Sequence, residues 1–472
     1  MSFASLAFLL FLPCVFALHW LGRGARWQNG VLVAASLVFY GWWDWRFCGL
    51  MVASALVDYA VGGALAAARS PARRRLLLGF SLVFNLGLLG FFKYFGFFVD
   101  SLVLALATVG VDVPTLPLQI ILPVGISFYT FQTLSYTLDI YRGQFAPRRD
   151  LAAYLSFVTF FPQLVAGPIE RASHLLPQFL EARKFDRAQA ESGLRLMLWG
   201  FVKKMLLADN LGALADAAYA SPGGVSAALL AAGTLAFAFQ IYCDFSGYSD
   251  IAAGCGRLFG IDLMRNFALP YFSASVTEFW RRWHVSMSTW FRDYLYVPLG
   301  GGRGTGRQVA RNVLLTTLAS GLWHGAAWHF VLWGLMHGLL LLGERALGLR
   351  EAGGGFRRAG RVLQTFTLVT LAWVMFRVTT AEEAFTIYAR LAGGVLTGGF
   401  WAELAALAAA HPWLVAGVAG LLLTEWLTRE RWNVLDLPRR PVALRWALYT
   451  LLCWAILIGG TKRVAEFIYF QF

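Results

Sequence analysis

Along the chain, apolar runs of about twenty residues alternate with short basic clusters, the pattern of helices long enough to cross a hydrocarbon layer about 30 Å thick. Residues 3–20, 31–50, 51–68 and 76–98 form the first such runs. No Lys or Arg precedes residues 3–20, whereas Arg23 and Arg26 follow at once. That run therefore reads as a retained span with its N-terminus outside, because a cleaved leader carries its basic residues in front. Trp42, Trp43 and Trp45 sit where an interfacial aromatic belt is expected, and Asp58 and Lys93 read as single charges near span ends that snorkel or pair. Further runs near 195–212, from 225, to about 378 and beyond an Ala-rich stretch at 400–410 bring the expected total to about ten to twelve spans in an all-α chain. No internal repeat is visible, which weakens an inverted-repeat transporter reading.

Four stretches depart from this texture. Residues 123–139 mix hydroxyls, amides and a carboxylate into membrane-depth sequence, where polar groups must be satisfied within the protein or by water in a cavity. Pro162, Gly167 and Pro168 break the helical pattern of residues 161–171, and that stretch reads either as re-entrant backbone lining a pathway or as a loop between spans. Residues 240–256 form a small-residue helix that permits close packing and also carries Asp244 and Asp250, six apart and hence on different sides. Residues 273–299 hold Glu278, Arg281, Arg282, Arg292 and Asp293 among Trp280, Trp283, Trp290 and Tyr294. They are too charged to cross a bilayer and read as one or two interfacial amphipathic helices.

Composition agrees with a membrane location. Hydrophobic residues make up 58% of 472 and charged residues 14%, with a mean hydropathy of +0.60. The formal charge of +14 is gathered into short clusters between apolar runs. These are Arg69/Arg73/Arg74/Arg75, Arg303/Arg307/Arg311, Arg345/Arg350/Arg357/Arg358/Arg361 and Arg429/Arg431/Arg439/Arg440. This distribution marks cytoplasmic loops rather than a nucleic-acid surface. The five cysteines form no Cys-x-x-Cys pair and read as apolar fillers. No stretch is long and polar enough for a separate soluble domain, so the chain is expected to be one membrane domain over 1–472, with a motif-bearing core at 118–345 and peripheral spans at 1–117 and 346–472.

The candidate chemistry centres on residues 320–338, which place three of the seven histidines inside an otherwise apolar helix. An ionisable group at that depth is functional by default, and His324, between Trp323 and Gly325, is the candidate general base. On a continuous helix His329 and His337 would lie about 140° from it in opposite senses, so both read as helix-to-helix hydrogen-bonding groups. His284 stands between a site group and an interfacial hydrogen bond, and His19, His174 and His411 read as incidental. No Gly-x-Ser-x-Gly nucleophile, phosphate cradle or zinc-ligand spacing accompanies these histidines, which favours direct transfer onto an external hydroxyl without a metal.

Taken together, several motifs resemble the membrane-bound O-acyltransferase superfamily, most closely its bacterial alginate O-acetyltransferase branch. They are Pro123 to Gln132, Phe161 to Ile169, Asp244 to Asp250, Phe279 to His284, Trp323-His324-Gly325 and the closing Phe467 to Phe472. The resemblance runs nearly end to end. It implies spans ringed around a thin central region, with a tunnel joining a cytoplasmic donor entrance to an extracytoplasmic acceptor face. It implies His324 as the catalytic histidine and His284 as the second. Trp323, Tyr129, Gln132 and Asp244 are expected to shape the substrate channel. It also implies acetyl-CoA as acyl donor, a multi-pass location in the bacterial inner membrane, and an extracytoplasmic esterase-like partner that passes acetyl to a polysaccharide or peptidoglycan. Three alternatives stay open: D-alanyl or other acyl transfer from a carrier-protein thioester, solute transport, and a non-enzymatic role in polysaccharide synthesis or export.

Overall fold

The computed structural model describes residues 1–113, 120–164, 167–349, 354–437, 440–460 and 467–468. Val165, Ala166, Arg350, Arg439 and the tail from Tyr469 onward lie outside the described residues. Among the described residues every regular element is helical, and the chain divides into two compact units.

The first unit holds residues 1–187, 256–263 and 325–327. Its long helices are α1 (Leu6–Leu21), α2 (Ala25–Asp44), α3 (Arg46–Ala67), α4 (Pro71–Leu89), α5 (Phe95–Thr108), α6 (Ile126–Tyr141) and α7 (Leu151–Thr159), with a π-helical turn at Gly90–Tyr94 joining α4 to α5. Start signals legible in the sequence are used: Ser5 caps α1, Ser70 with Pro71 opens α4, and Asp150 caps α7. Asp58 corrects an expectation, since it lies in the middle of α3, fully buried, and accepts hydrogen bonds from Ser81 and, at 2.9 Å, from Asn85. A carboxylate so enclosed has no route by which to snorkel.

The proline-rich stretch is irregular as its composition requires, with a single helical turn at Phe161–Leu164 and non-helical backbone through residues 167–171. Gly125 opens α6 with φ +74°, and a Cβ there would meet the Leu164 carbonyl, so this junction needs glycine.

The second unit holds residues 188–255, 264–324 and 328–472. Its helices are α8 (Arg187–Phe201), α9 (Asp209–Tyr219), α10 (Ala227–Leu258), α11 (Val276–Arg282), α12 (Val285–Phe291), α13 (Gly306–His324), α14 (Trp328–Ala346), α15 (Phe356–Arg377), α16 (Ala381–Gly394), α17 (Gly398–Ala410), α18 (Pro412–Leu427) and α19 (Val442–Gly459). Glycine sets the closest approaches. A Cβ at Gly200 would meet the Gly247 carbonyl and one at Gly254 the Gly193 carbonyl, which packs α8 directly on α10.

The helix expected over 320–338 is two helices. Residues 325–327 interrupt it, so His324 ends α13, while His329 and His337 belong to α14. His324 is therefore not held about 140° from His329 and His337, as one continuous helix would require. α13 and α14 pack antiparallel through glycines: a Cβ on Gly321 would collide with the Phe330 carbonyl, and one on Gly334 with the Thr317 carbonyl. Because both obstacles are backbone, Gly334→Val is expected to destabilise the protein by at least about 1–3 kcal/mol. Thermal unfolding in detergent measures this, and an unchanged midpoint would show that the hairpin can splay without cost.

Five described helical segments are long and apolar enough to cross a membrane: α3, the α4–α5 segment Pro71–Thr108, α10, α15 and α19. A sixth arises if α16 and α17, bent by 108°, count as one broken span. α1, α18 and the segment Leu151–Leu164 are apolar but shorter.

Candidate active site

The second unit gathers the histidines around three elements. α11 begins at Ser275, whose hydroxyl accepts the Glu278 amide, and ends at Trp283. His284 then adopts φ +42°, a left-handed conformation costing an L-residue about 1–2 kcal/mol, before α12 starts. The sequence places this histidine inside an amphipathic segment, whereas the structure places it at the break between two short helices.

Neighbouring packing fixes that break. Trp283 is fully buried, stacked on Phe279 at 5.5 Å and in contact with Trp373 at 4.9 Å. His284 Nδ1 bonds Asn266 Oδ1 at 3.2 Å. The same oxygen accepts from the Ser286 amide and, at 3.0 Å, from the Ser286 hydroxyl. An oxygen can only accept, so Nδ1 carries the proton and Nε2 is the basic nitrogen. His284 lies outside the long apolar helices, and burial pushes its pKa down to about 3, which keeps the ring neutral.

Trp323 joins the two predicted histidines, with its ring 5.9 Å from His284 and 5.0 Å from His324. His324, 3% exposed, is further enclosed by Trp333 at 5.0 Å and Phe376 at 5.2 Å. Trp333 also contacts His337 at 4.7 Å, so one indole touches both imidazoles that a continuous helix would have kept apart. His329 Nδ1 lies 2.9 Å from the Met375 carbonyl, a helix-to-helix hydrogen bond.

Beside this cluster is a cavity of about 440 Å³, within the size range of small-molecule sites. Its walls come from α11, α12, the π-helical turn Arg292–Tyr296, α13 and α14. Trp333 and His337 line it, and so do Arg281, Arg292 and Arg345. Arg292 pairs with Asp293 at 2.7 Å, whereas Arg281 and Arg345 have no carboxylate partner among the described residues. Along α14 the lining runs from Arg345 to Trp333, twelve residues or about 18 Å at 1.5 Å per residue. Such a chamber can hold an extended ligand with an anionic head at Arg345 and a neutral tip at Trp333.

Of the other channel residues expected from the sequence, Asp244 lies in the second unit and Tyr129 and Gln132 in the first. Asp244 forms an ion pair with Lys204 at 2.8 Å and accepts a hydrogen bond from the Ile468 amide at 2.8 Å. Its neighbour Phe245 meets the His284 ring edge-on at 4.6 Å and Phe467 at 5.6 Å. Tyr129 and Gln132, on α6, are both buried, and the Gln132 amide donates to the Phe157 carbonyl at 2.5 Å, as does Gln163 at 2.6 Å.

Sequence reasoning missed Lys203 and Lys204, which stand on a π-helical stretch, Val202–Ala208. Lys203 pairs with Asp250 at 2.7 Å, and Lys204 with both Asp209 and Asp244 at 2.8 Å, all nearly enclosed. Two adjacent lysines within an apolar run were the available signal, because such charges require partners at membrane depth.

Comparison with known proteins follows the same residues. The family description "MBOAT, membrane-bound O-acyltransferase family" matches residues 146–350. The chain is 44% identical to the probable alginate O-acetylase AlgI of Azotobacter vinelandii over 396 residues, covering 83% of this chain and 78% of the relative. It is also 44% identical to the protein of that name from Pseudomonas aeruginosa over 394 residues, covering 82% and 74%. It is 35% identical to the peptidoglycan O-acetyltransferase of Helicobacter pylori over 390 residues, covering 77% and 73%.

Proposed function

Because the chain belongs to the membrane-bound O-acyltransferase family and is a multi-pass membrane O-acyltransferase, we propose that it takes acetyl from cytoplasmic acetyl-CoA for O-acetylation of an extracytoplasmic polysaccharide or peptidoglycan. The carrying observation is the cavity lined by Arg281, Arg292 and Arg345, in which Arg345 stands about 18 Å along α14 from Trp333, whose ring abuts His324. Acetyl-CoA has the matching form, with phosphates at one end and a neutral thioester at the end of a long arm. Arginine is the side chain suited to phosphate oxygens.

The orientation follows from charge. α13 starts near Arg303, Arg307 and Arg311, and antiparallel α14 returns to the same end at Arg345. The positive-inside rule puts that end in the cytoplasm, here of a bacterial inner membrane. His324 accepts the proton of an acceptor hydroxyl while the oxygen attacks the thioester carbonyl carbon. The carbon–sulfur bond then breaks, and the proton passes to the departing thiolate, giving an ester and free coenzyme A. His324 is the last residue of α13, where the helix dipole stabilises the transient imidazolium. His284 serves as the second histidine, oriented by Asn266. Trp323 holds both rings in register, and Asp244 supports them from beside Phe245, whose ring meets that of His284. Tyr129 and Gln132 serve as channel residues of the first unit. A separate esterase-like protein outside the membrane receives the acetyl group and passes it to the polymer.

Purified protein in lipid, given radiolabelled acetyl-CoA, tests this reading. Label is expected to reach an acceptor, with Arg281→Ala and Arg345→Ala each weakening acetyl-CoA binding by about tenfold. Label accepted only from a phosphopantetheinylated carrier protein would replace acetyl-CoA with a carrier thioester. An intact solute moved with acetyl-CoA untouched would replace the enzyme with a transporter.

A further inference from the structure

His337 was expected to serve only as a helix-to-helix hydrogen bond, and it makes one, since the Trp280 indole N–H donates to its Nδ1 at 3.3 Å. That bond has a chemical consequence. An indole nitrogen only donates, so Nδ1 is the acceptor and the neutral ring carries its proton on Nε2. His337 is 1% exposed, and Nε2 is buried with no hydrogen-bond partner among the described residues. Buried N–H groups almost always have an acceptor, and one without it in the protein calls for an acceptor from outside.

The surroundings show where that acceptor would come from. His337, Trp280 and Trp333 all line the 440 Å³ cavity, and the Trp280 ring lies 5.0 Å from His337 and 5.7 Å from Trp333. The imidazole is therefore held by one indole through a hydrogen bond and by another through ring contact, in a fixed tautomer. Packing alone requires neither a nitrogen at the Nε2 position nor a defined tautomer.

We propose that His337 is a donor-recognition residue whose Nε2–H bonds a carbonyl oxygen of the acyl donor in this cavity. The inference rests on reading the cavity as the donor chamber. The carbonyl belongs either to the thioester or to an amide of the pantetheine arm, and both are neutral acceptors that an N–H of this kind recognises.

Binding of acetyl-CoA and of its thioether analogue S-ethyl-CoA, which lacks the thioester carbonyl, tests the proposal on the full chain in lipid nanodiscs. His337→Phe keeps a planar ring and removes the N–H, and is expected to weaken acetyl-CoA binding about three- to tenfold. His337→Gln restores a donor near the same position and should recover most of that loss, which a packing role would not produce. Trp280→Phe releases Nδ1, so that the proton divides between the two nitrogens and affinity falls by about twofold.

A loss for acetyl-CoA but not S-ethyl-CoA assigns the thioester carbonyl, and equal losses assign a pantetheine amide. Unchanged affinities in folded His337→Phe would overturn the proposal. Should that variant not fold, a Trp280→Phe affinity equal to wild type, with His337→Gln no weaker, would overturn it instead. Failure of the wild-type protein to bind either ligand is a different result, and it removes the donor-chamber reading itself.

Discussion

His324→Ala is expected to lower the rate of acetyl transfer by about 10²–10⁴-fold, the usual contribution of a general base, while acetyl-CoA binds about as well as to wild type. The split follows from position. The cavity lining includes Trp333 and His337 but not His324, which meets the chamber through the Trp333 ring at 5.0 Å. Removing the imidazole therefore leaves the surfaces assigned to the donor intact and deletes the group assigned to the hydroxyl proton. Transfer kinetics and donor affinity measured on the same preparation separate the two. A variant with unchanged turnover, or one that loses donor affinity and turnover together, would remove His324 from the role of base.

Lys204→Met is expected to cost about 3–5 kcal/mol of stability, the range for breaking a buried ion pair by deleting one partner. Lys204 bridges Asp209 and Asp244, and all three side chains are almost completely enclosed. Loss of the ammonium leaves two buried carboxylates without their cation. The same change loosens the seat of the carboxy-terminal segment, because Asp244 also accepts the Ile468 amide. Adding Asp209→Asn and Asp244→Asn to Lys204→Met should recover much of the loss, since neutral amides cost far less to bury than unpaired charges. Thermal unfolding of the single and triple variants decides it, and equal midpoints for Lys204→Met and wild type would show that the triad carries no net stability.

Much of this was legible in the chain. Apolar periodicity gives the all-helical class, and the family motifs single out His324 and His284 as candidates, two rings that the structure places against the same Trp323. What escaped has definite physical causes. The interruption at Gly325-Ala326-Ala327 contains two strong helix formers, so local propensity does not announce it, and yet it decides which faces the three histidines occupy. Lys203 and Lys204 find their partners across helices, 47 residues away at Asp250 and 40 residues away at Asp244, and no spacing rule reaches that far. Asp58 fits a snorkelling pattern by sequence, but its acceptors are satisfied by Ser81 and Asn85 from the next helix. The positive φ of His284 depends on Trp283 packing and on Asn266, neither of which is implied by the amphipathic pattern around it.

On the proposed reading the donor occupies the chamber between α11, α12, α13 and α14 and presents its acyl end to the histidine cluster. Photo-crosslinking tests it most directly, using a coenzyme A thioester whose acyl group carries a diazirine, with adducts mapped by mass spectrometry. Adducts are expected within Val276–Arg282, Gly306–His324 and Trp328–Ala346, lost on competition with acetyl-CoA. Competed adducts confined to the first unit, or to α18 and α19, would contradict it.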